Sequence, residues 1–175
     1  MNTYKILNFP ISFRSLCLLG CIASLFLLGC AYIIQYSYKI EPCPLCLIQR
    51  YVFIVIAFLF ALAALHKPQN SKVRFSYIGL ILFFSILGIV LAARHVWLQY
   101  LPQPEVATCG GGLERMLAFM PFLEVLQEVF DASPACSQID FTILHLSIPV
   151  WTLSAFIGFL IFAGLILILQ IKRRI

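Results

Sequence analysis

The sequence predicts an all-α membrane protein, a bundle of four transmembrane helices with one long hydrophilic loop between the third and fourth helices. Hydrophobic residues make up 62% of the 175 residues, charged residues make up 11%, and the mean hydropathy is +1.01. These values lie far outside the range of soluble domains. We expect residues 1–175 to form a single membrane domain with its loop at 98–147. Four stretches approach or exceed the about 18 to 20 apolar residues that cross a bilayer as a helix: 16–36, 47–65, 75–93 and 150–171.

The first predicted span, 16–36, follows a basic segment and can also be interpreted as a lipoprotein signal. In that alternative the chain would be cleaved before Cys30, after the sequence Leu-Leu-Gly. The apolar run continues past Cys30 as far as Ile34, which is long for a signal and suitable for a span. We therefore predict a transmembrane helix. Its cysteines are expected to pack as small apolar residues: Cys17, Cys21 and Cys30.

The sequence Cys-Pro-Leu-Cys, residues 43–46, immediately precedes the second predicted span, with Arg50 one helical turn after Cys46. A cysteine in the first turn of a helix feels the positive end of the backbone dipole. The guanidinium of Arg50 lies on the same helix face as Cys46, four residues away. Both effects favour the thiolate, which is the species that exchanges disulfides.

The predicted loop at 98–147 follows the third span and contains two cysteines, Cys109 and Cys136, each flanked by glycine, serine or proline. A disulfide between them is plausible, either as a staple that closes the loop or as a bond that is exchanged. The stretch 113–130 mixes apolar and charged residues, so it can lie along the bilayer surface or cover the outer end of the bundle.

The distribution of charge predicts the orientation of the bundle in the membrane. Cations precede the first span, fill the turn between the second and third spans, and follow the fourth span, so both termini are expected in the cytoplasm. In a bacterial inner membrane, the four cysteines at 43, 46, 109 and 136 would then face the oxidising periplasm. The cations on the cytoplasmic side are Lys5, Arg14, Lys67, Lys72, Arg74, Lys172, Arg173 and Arg174.

Two kinds of chemistry are open to four outward-facing cysteines: metal binding and disulfide transfer. Structural zinc sites usually need close-spaced cysteine pairs on both sides, whereas Cys109 and Cys136 are widely separated. We therefore predict no metal. Two dithiols on one face make a path along which disulfides can be passed on, although the four cysteines allow three pairings.

Ionisable residues near the outer interface indicate a site beside Cys46. Arg50 shares the helix face of Cys46, and His95 ends the third span at a similar depth. A quinone headgroup suits such a pocket, because a cation stabilises the charge that develops on reduction and a histidine can donate a hydrogen bond or relay a proton. The alternatives are a snorkelling Arg50 and a purely interfacial His95.

Over nearly its whole length the sequence resembles the DsbB family, bacterial inner-membrane proteins that reoxidise the periplasmic disulfide donor DsbA and pass the electrons to ubiquinone or menaquinone. The resemblance is carried by a four-cysteine pattern on four helices in a specific order. The matching features are Pro42 with the Cys-Pro-Leu-Cys sequence at 43–46, Arg50, His95, Leu98-Gln99, Pro102, Cys109, Cys136, Pro149 and Trp151.

The resemblance implies a role for each cysteine. Cys109 is attacked by the thiolate of a DsbA-like partner and forms the mixed disulfide, while Cys136 is released and turns to the pair at the membrane edge. Cys43 then receives Cys136, which leaves Cys46 as the thiolate that reacts with the quinone. Arg50 would stabilise charge, and His95, Leu98 and Gln99 would lie near the headgroup.

Two other functions remain open. Enzymes of the vitamin K epoxide reductase type also combine four helices, four cysteines and a quinone, but in them the loop pair precedes the close-spaced pair. A non-catalytic four-span scaffold with a stapled loop would have no need of Arg50 beside paired cysteines. The order of the cysteines and the position of Arg50 favour the DsbB type.

Overall fold

A computed structural model describes residues 12–39, 43–100, 142–143 and 146–172. Within this part of the chain, four helices are long and apolar enough to cross a membrane, which confirms the predicted four-helix bundle. Most of the predicted loop, including Cys109, Cys136 and the stretch 113–130, lies outside the described residues. The elements in chain order are α1 (Phe13–Tyr38), α2 (Pro44–His66), α3 (Ser71–Gln99), β1 (Thr142–Ile143), β2 (Leu146–Ser147) and α4 (Ile148–Lys172).

The first three helices begin at residues whose side chains cap the backbone. Ser12 accepts a hydrogen bond from the N–H of Ser15 at the start of α1, and Asn70 accepts one from the N–H of Lys72 at the start of α3. In α2 the cap is Cys43, which is followed by proline at the first helical position. Proline is favoured there because that N–H has no partner within the helix. The sequence around Cys43 therefore sets where α2 begins.

The α3 helix is long enough to reach beyond the hydrocarbon core of a bilayer. Its 29 residues span about 43 Å at 1.5 Å per residue, compared with a core of about 30 Å. The helix continues to Gln99 because neither proline nor glycine occurs between Ala93, the end of the predicted span, and Gln99. His95 and Leu98 therefore lie in its last two turns, although the loop was expected to begin at Leu98.

The four helices pack in chain order: α1 against α2, α2 against α3, and α3 against α4. Aromatic rings fill the centre, where the rings of Phe53 and Phe156 stack with their centroids 4.2 Å apart. Two glycines make this close packing possible. A Cβ added to Gly88 would overlap the ring of Phe156, and one added to Gly20 would overlap Phe60. The small residues thus allow the helix backbones to approach the facing rings, as is common in membrane bundles.

The outer surface of the bundle is apolar, as a bilayer requires. Phe26 on α1, Phe58 on α2 and Phe83 on α3 are each at least 60% exposed. Inside the bundle, the hydroxyl groups of Ser24 and Ser85 donate to backbone carbonyls four residues earlier. These hydrogen bonds satisfy polar groups that have no access to water within the membrane.

Replacing Gly88 with alanine is expected to destabilise the bundle, because the new methyl group would collide with Phe156. Overpacking of this kind costs about 1–3 kcal/mol. Gly79→Ala is a matched control on the same helix, since a Cβ there meets nothing within 4 Å. The measurement is the thermal unfolding midpoint of each variant in detergent micelles. Equal midpoints for the two variants would contradict the packing described here.

Candidate active site

The start of α2 holds the sulfur of Cys43 against the helix backbone. Cys43 has extended backbone angles, with φ −64° and ψ 159°, and its Sγ accepts a hydrogen bond from the N–H of Cys46 at 3.4 Å. Both cysteines are half-buried, and their sulfur atoms lie within 4.8 Å of each other. The structure thus places the predicted dithiol at the start of α2, with its two sulfur atoms close together.

His95 reaches this dithiol from the end of α3. Its side chain is only 2% exposed, and its Nε2 lies 3.6 Å from the Sγ of Cys43. The structure thus brings together Cys43, Cys46 and His95, three of the predicted site residues. His95 contacts the sulfur of Cys43, and it also lies within 4.8 Å of the sulfur of Cys46, beside which it was predicted.

Gln49 holds the imidazole of His95 in a defined orientation. Its side chain is 1% exposed, and its Nε2 lies 3.4 Å from the carbonyl oxygen of Leu91 and 3.3 Å from Nδ1 of His95. Because the carbonyl of Leu91 can only accept, the amide nitrogen of Gln49 must face it, and this same nitrogen faces Nδ1. Nδ1 therefore accepts a hydrogen bond, and the ring proton lies on Nε2, directed at Cys43.

Arg50 lies one turn further into α2 than Cys46 and is held by two residues of α1. Its guanidinium donates a hydrogen bond to Oε1 of Gln35, and its central carbon lies 4.9 Å from the centroid of the Tyr32 ring. Arg50 is half-buried. A cation over an aromatic face is attracted by the electron density of the ring, more strongly where water is excluded. The charge of Arg50 is thus fixed at the same end of the bundle as the dithiol.

The remaining predicted site residues have different surroundings. Leu98 is buried, with 1% of its side chain exposed. Gln99 is half-buried, and its Oε1 accepts a hydrogen bond from the hydroxyl of Ser147 at 2.7 Å. Gln99 therefore links the end of α3 to the strand that leads into α4. Cys109 and Cys136 lie outside the described residues.

Sequence reasoning missed three residues that support the site: Tyr32, Gln35 and Gln49. A signal for Gln49 was present, since an amide inside an apolar span needs hydrogen-bonding partners and thereby indicates a site. Tyr32 and Gln35 had no comparable signal, because polar and aromatic residues are common at a membrane interface. Their role follows only from the packing of α1 against α2.

The arrangement permits both thiol–disulfide exchange and metal coordination. The two sulfurs and the imidazole nitrogen of His95 all lie within 4.8 Å of one another. Thiolate and imidazole are the ligands that zinc prefers. A dithiol at a helix start, with a hydrogen-bond donor on one sulfur, is equally suited to redox exchange.

Four membrane-spanning helices with a dithiol at one end of the bundle are the features of a membrane-bound thiol oxidoreductase. The match to known proteins is more specific, since residues 13–166 fit the family model of Disulfide bond formation protein DsbB. The chain is 43% identical to Disulfide bond formation protein B of Chromohalobacter salexigens over 164 residues, which cover 93% of this chain and 95% of that protein. It is 44% identical to the protein of the same name from Hahella chejuensis over 134 residues, covering 76% of this chain and 80% of the relative.

The chain therefore belongs to the DsbB family. Members of this family are thiol oxidoreductases that oxidise DsbA and pass the electrons to quinone in the bacterial inner membrane. This membership confirms the predicted class of enzyme and the general involvement of quinone. It also removes the vitamin K epoxide reductase type and the non-catalytic scaffold as alternatives.

Proposed function

We propose that electrons enter this protein at the loop cysteines, pass to the dithiol of Cys43 and Cys46, and leave to a membrane quinone. The observation that carries the proposal is the position of the Cys43 sulfur. It accepts the N–H of Cys46 at 3.4 Å and lies 3.6 Å from Nε2 of His95. Both contacts stabilise negative charge on that sulfur, which thiol–disulfide exchange requires.

In the proposed first exchange, the thiolate of a DsbA-like periplasmic protein attacks Cys109 of a loop disulfide and releases Cys136. A second attack within the mixed disulfide frees Cys109 and leaves the partner oxidised. The partner thus loses two electrons and two protons, and the loop gains a dithiol. This assignment of the two loop cysteines follows the family pattern.

In the second exchange, the thiolate of Cys136 attacks Cys43 of a Cys43–Cys46 disulfide, and Cys46 leaves as the thiolate. Cys109 then attacks Cys136, which re-forms the loop disulfide and releases Cys43 as the second thiolate of the dithiol. His95, whose Nε2 lies 3.6 Å from the sulfur of Cys43 and whose ring is held by Gln49, stabilises the charge on Cys43 in this last step, where Cys43 is the leaving group.

The residues around Arg50 fit a quinone headgroup, whose two carbonyl oxygens accept hydrogen bonds. A guanidinium has five N–H donors, and the hydrogen bond to Gln35 uses one of them. When bound, the quinone supplies the oxidising power, because it accepts two electrons and two protons. We propose that Arg50 binds the headgroup, with His95, Leu98 and Gln99 near it. Ubiquinone and menaquinone both carry the carbonyl oxygens that this donor set recognises.

An assay with purified components tests the proposal. The protein is mixed with a reduced DsbA-like donor and ubiquinone in detergent, and the quinone absorbance is followed over time. We expect catalytic loss of oxidised quinone, matched mole for mole by donor disulfide. The same measurement with menaquinone compares the two acceptors. Donor oxidation that proceeds equally without quinone would refute the proposed path of the electrons.

We also propose that both chain termini lie in the cytoplasm and that the dithiol faces the periplasm. Arg74, at the start of α3, donates a hydrogen bond to Gln170 near the end of α4 and lies over the ring of Phe13 at the start of α1. These contacts gather the basic segments at one end of the bundle. The dithiol and His95 lie at the other ends of α2 and α3. Cations are retained on the cytoplasmic side of inner-membrane proteins.

This orientation predicts the outcome of two reporter fusions. Green fluorescent protein attached after Ile175 should fluoresce, since it folds in the cytoplasm, and alkaline phosphatase inserted after Cys136 should be active, since it needs the oxidising periplasm. Fluorescence and phosphatase activity are measured in intact cells at equal expression. An inactive phosphatase together with a non-fluorescent fusion would show that the orientation is opposite to the one proposed.

A further inference from the structure

The sulfur atoms of Cys43 and Cys46 and the imidazole nitrogen of His95 form a compact set of soft ligands, all within 4.8 Å of one another. A tetrahedral zinc ion holds two sulfurs and one nitrogen roughly 3.5–3.8 Å apart, given bond lengths of about 2.3 Å and 2.0 Å. The 3.6 Å between Sγ of Cys43 and Nε2 of His95 already matches such an edge. The other two distances are at most 4.8 Å, which is about 1 Å longer than tetrahedral coordination requires.

The ligands come from two elements whose positions are fixed independently. Cys43 and Cys46 are held by the start of α2, and His95 is 2% exposed near the end of α3. Because both cysteines are half-buried, an ion can reach the sulfurs from the outer end of the bundle, and water can occupy its fourth position. Three protein ligands with one open position is a common arrangement for zinc in proteins.

We propose that the reduced enzyme binds one soft divalent cation, Zn²⁺ or its analogue Cd²⁺, through Cys43, Cys46 and His95. Each thiol loses its proton on binding, so two protons are released per ion. The cation takes the lone pair of Nε2, and the ring proton moves to Nδ1. No electrons are transferred, and the two sulfurs remain at the oxidation level of thiols.

Gln49 opposes this change in the orientation that the structure shows. Its Nε2 faces both the carbonyl oxygen of Leu91 and Nδ1 of His95, so a proton on Nδ1 would meet an N–H donor. Binding of the cation therefore requires the amide of Gln49 to move away from its hydrogen bond with Leu91. Neighbours of a ligating histidine commonly change metal affinity by about 10- to 100-fold. Gln49→Leu, which removes the opposing donor, should therefore tighten binding.

A bound cation would hold the enzyme in its dithiol state. A disulfide between Cys43 and Cys46 cannot form while both sulfurs coordinate the ion, so the ion competes directly with oxidation. This consequence rests on the proposed function of the dithiol, whereas the binding itself rests on the ligand geometry alone. We expect Zn²⁺ to inhibit quinone reduction and a chelator to restore it.

Titration of the full-length reduced protein with Cd²⁺ tests the site. Cys109→Ser and Cys136→Ser provide a background in which the loop thiols are absent. Binding is followed by the ultraviolet charge-transfer absorption of cadmium thiolates, and proton release by an indicator dye. We expect one tightly bound Cd²⁺ per chain with release of two protons. Cys43→Ser should abolish tight binding, and His95→Phe should weaken it by about 10-fold or more.

Two matched variants serve as controls. His66→Phe changes a histidine at the other end of α2 that contacts Tyr77, and Cys21→Ser changes a half-buried cysteine of α1. Neither should alter Cd²⁺ binding. Oxidation of the unmutated dithiol to its disulfide tests the same site without a substitution, and it should abolish tight binding.

Three results would overturn the site: no tight binding to the reduced protein, equal affinity in His95→Phe, or undiminished binding after oxidation of the dithiol. Tight binding in the predicted pattern without inhibition of turnover has a different meaning. It would support the metal site and refute the role of the dithiol in electron transfer.

Discussion

Replacing Cys46 with serine is expected to reduce steady-state quinone reduction to the assay background, a loss of at least about 1,000-fold. A serine hydroxyl is not ionised near neutral pH and cannot form a disulfide, so the electron path ends at this position. The loop disulfide would remain intact in this variant. A single equivalent of the DsbA-like donor should therefore be oxidised rapidly, after which the reaction stops. Stopped-flow measurement of donor oxidation and quinone absorbance separates the two phases.

Cys43→Ser should abolish turnover as well, because the thiolate of the loop would have no disulfide to attack. Cys21→Ser is the control, since Cys21 is half-buried in α1 and outside the site. It should retain full activity. Steady turnover in either Cys43→Ser or Cys46→Ser would refute the relay, whatever the activity of the control.

Most of the fold of this protein can be predicted from its sequence, because a bilayer permits few kinds of secondary structure. A stretch of about 20 apolar residues that must satisfy its own backbone can only be a helix. The ends of the helices are harder to predict, as α3 illustrates. Its apolar window ends near Ala93, yet the helix continues to Gln99 because the following residues, including His95, are compatible with helix and carry no break. The six additional residues bring His95 to the dithiol.

The site was only partly predictable, because contacts between helices depend on how each helix is rotated. The proximity of Cys43 and Cys46 follows from their spacing and from the proline between them. The contact of His95 with Cys43, at 3.6 Å, depends on the register between α2 and α3, which no local pattern specifies. The same holds for Arg50, whose partners Gln35 and Tyr32 come from α1.

Two amide side chains orient residues of the site. Gln49, which is buried, bridges α2 and α3 through the carbonyl of Leu91 and the ring of His95, and Gln35, which is half-buried, bridges α1 and α2 through Arg50. An amide has donors and an acceptor but no charge, so it can orient a titratable neighbour within the membrane without the desolvation penalty of an ion. Each bridge therefore fixes a functional side chain at low cost.

Substitution of Arg50 by histidine is expected to raise the apparent Michaelis constant for quinone much more than that for the donor. A hydrogen bond to a charged group contributes about 1.5–3 kcal/mol, which corresponds to about 10- to 100-fold in affinity. The shorter imidazole cannot keep both the hydrogen bond to Gln35 and the position over Tyr32 that Arg50 has in the structure. Steady-state kinetics with quinone and donor varied separately measure the two constants.

Arg74→His is the matched control for this substitution, because Arg74 also combines a hydrogen bond to a glutamine with a position over an aromatic ring, at the opposite end of the bundle. It should leave the quinone constant unchanged while costing comparable stability. Gln35→Leu should raise the quinone constant less than Arg50→His does. It removes a hydrogen-bonding partner of the Arg50 guanidinium but retains the positive charge of Arg50. A quinone constant that is unchanged in Arg50→His, or raised equally in Arg74→His, would exclude Arg50 from the quinone site.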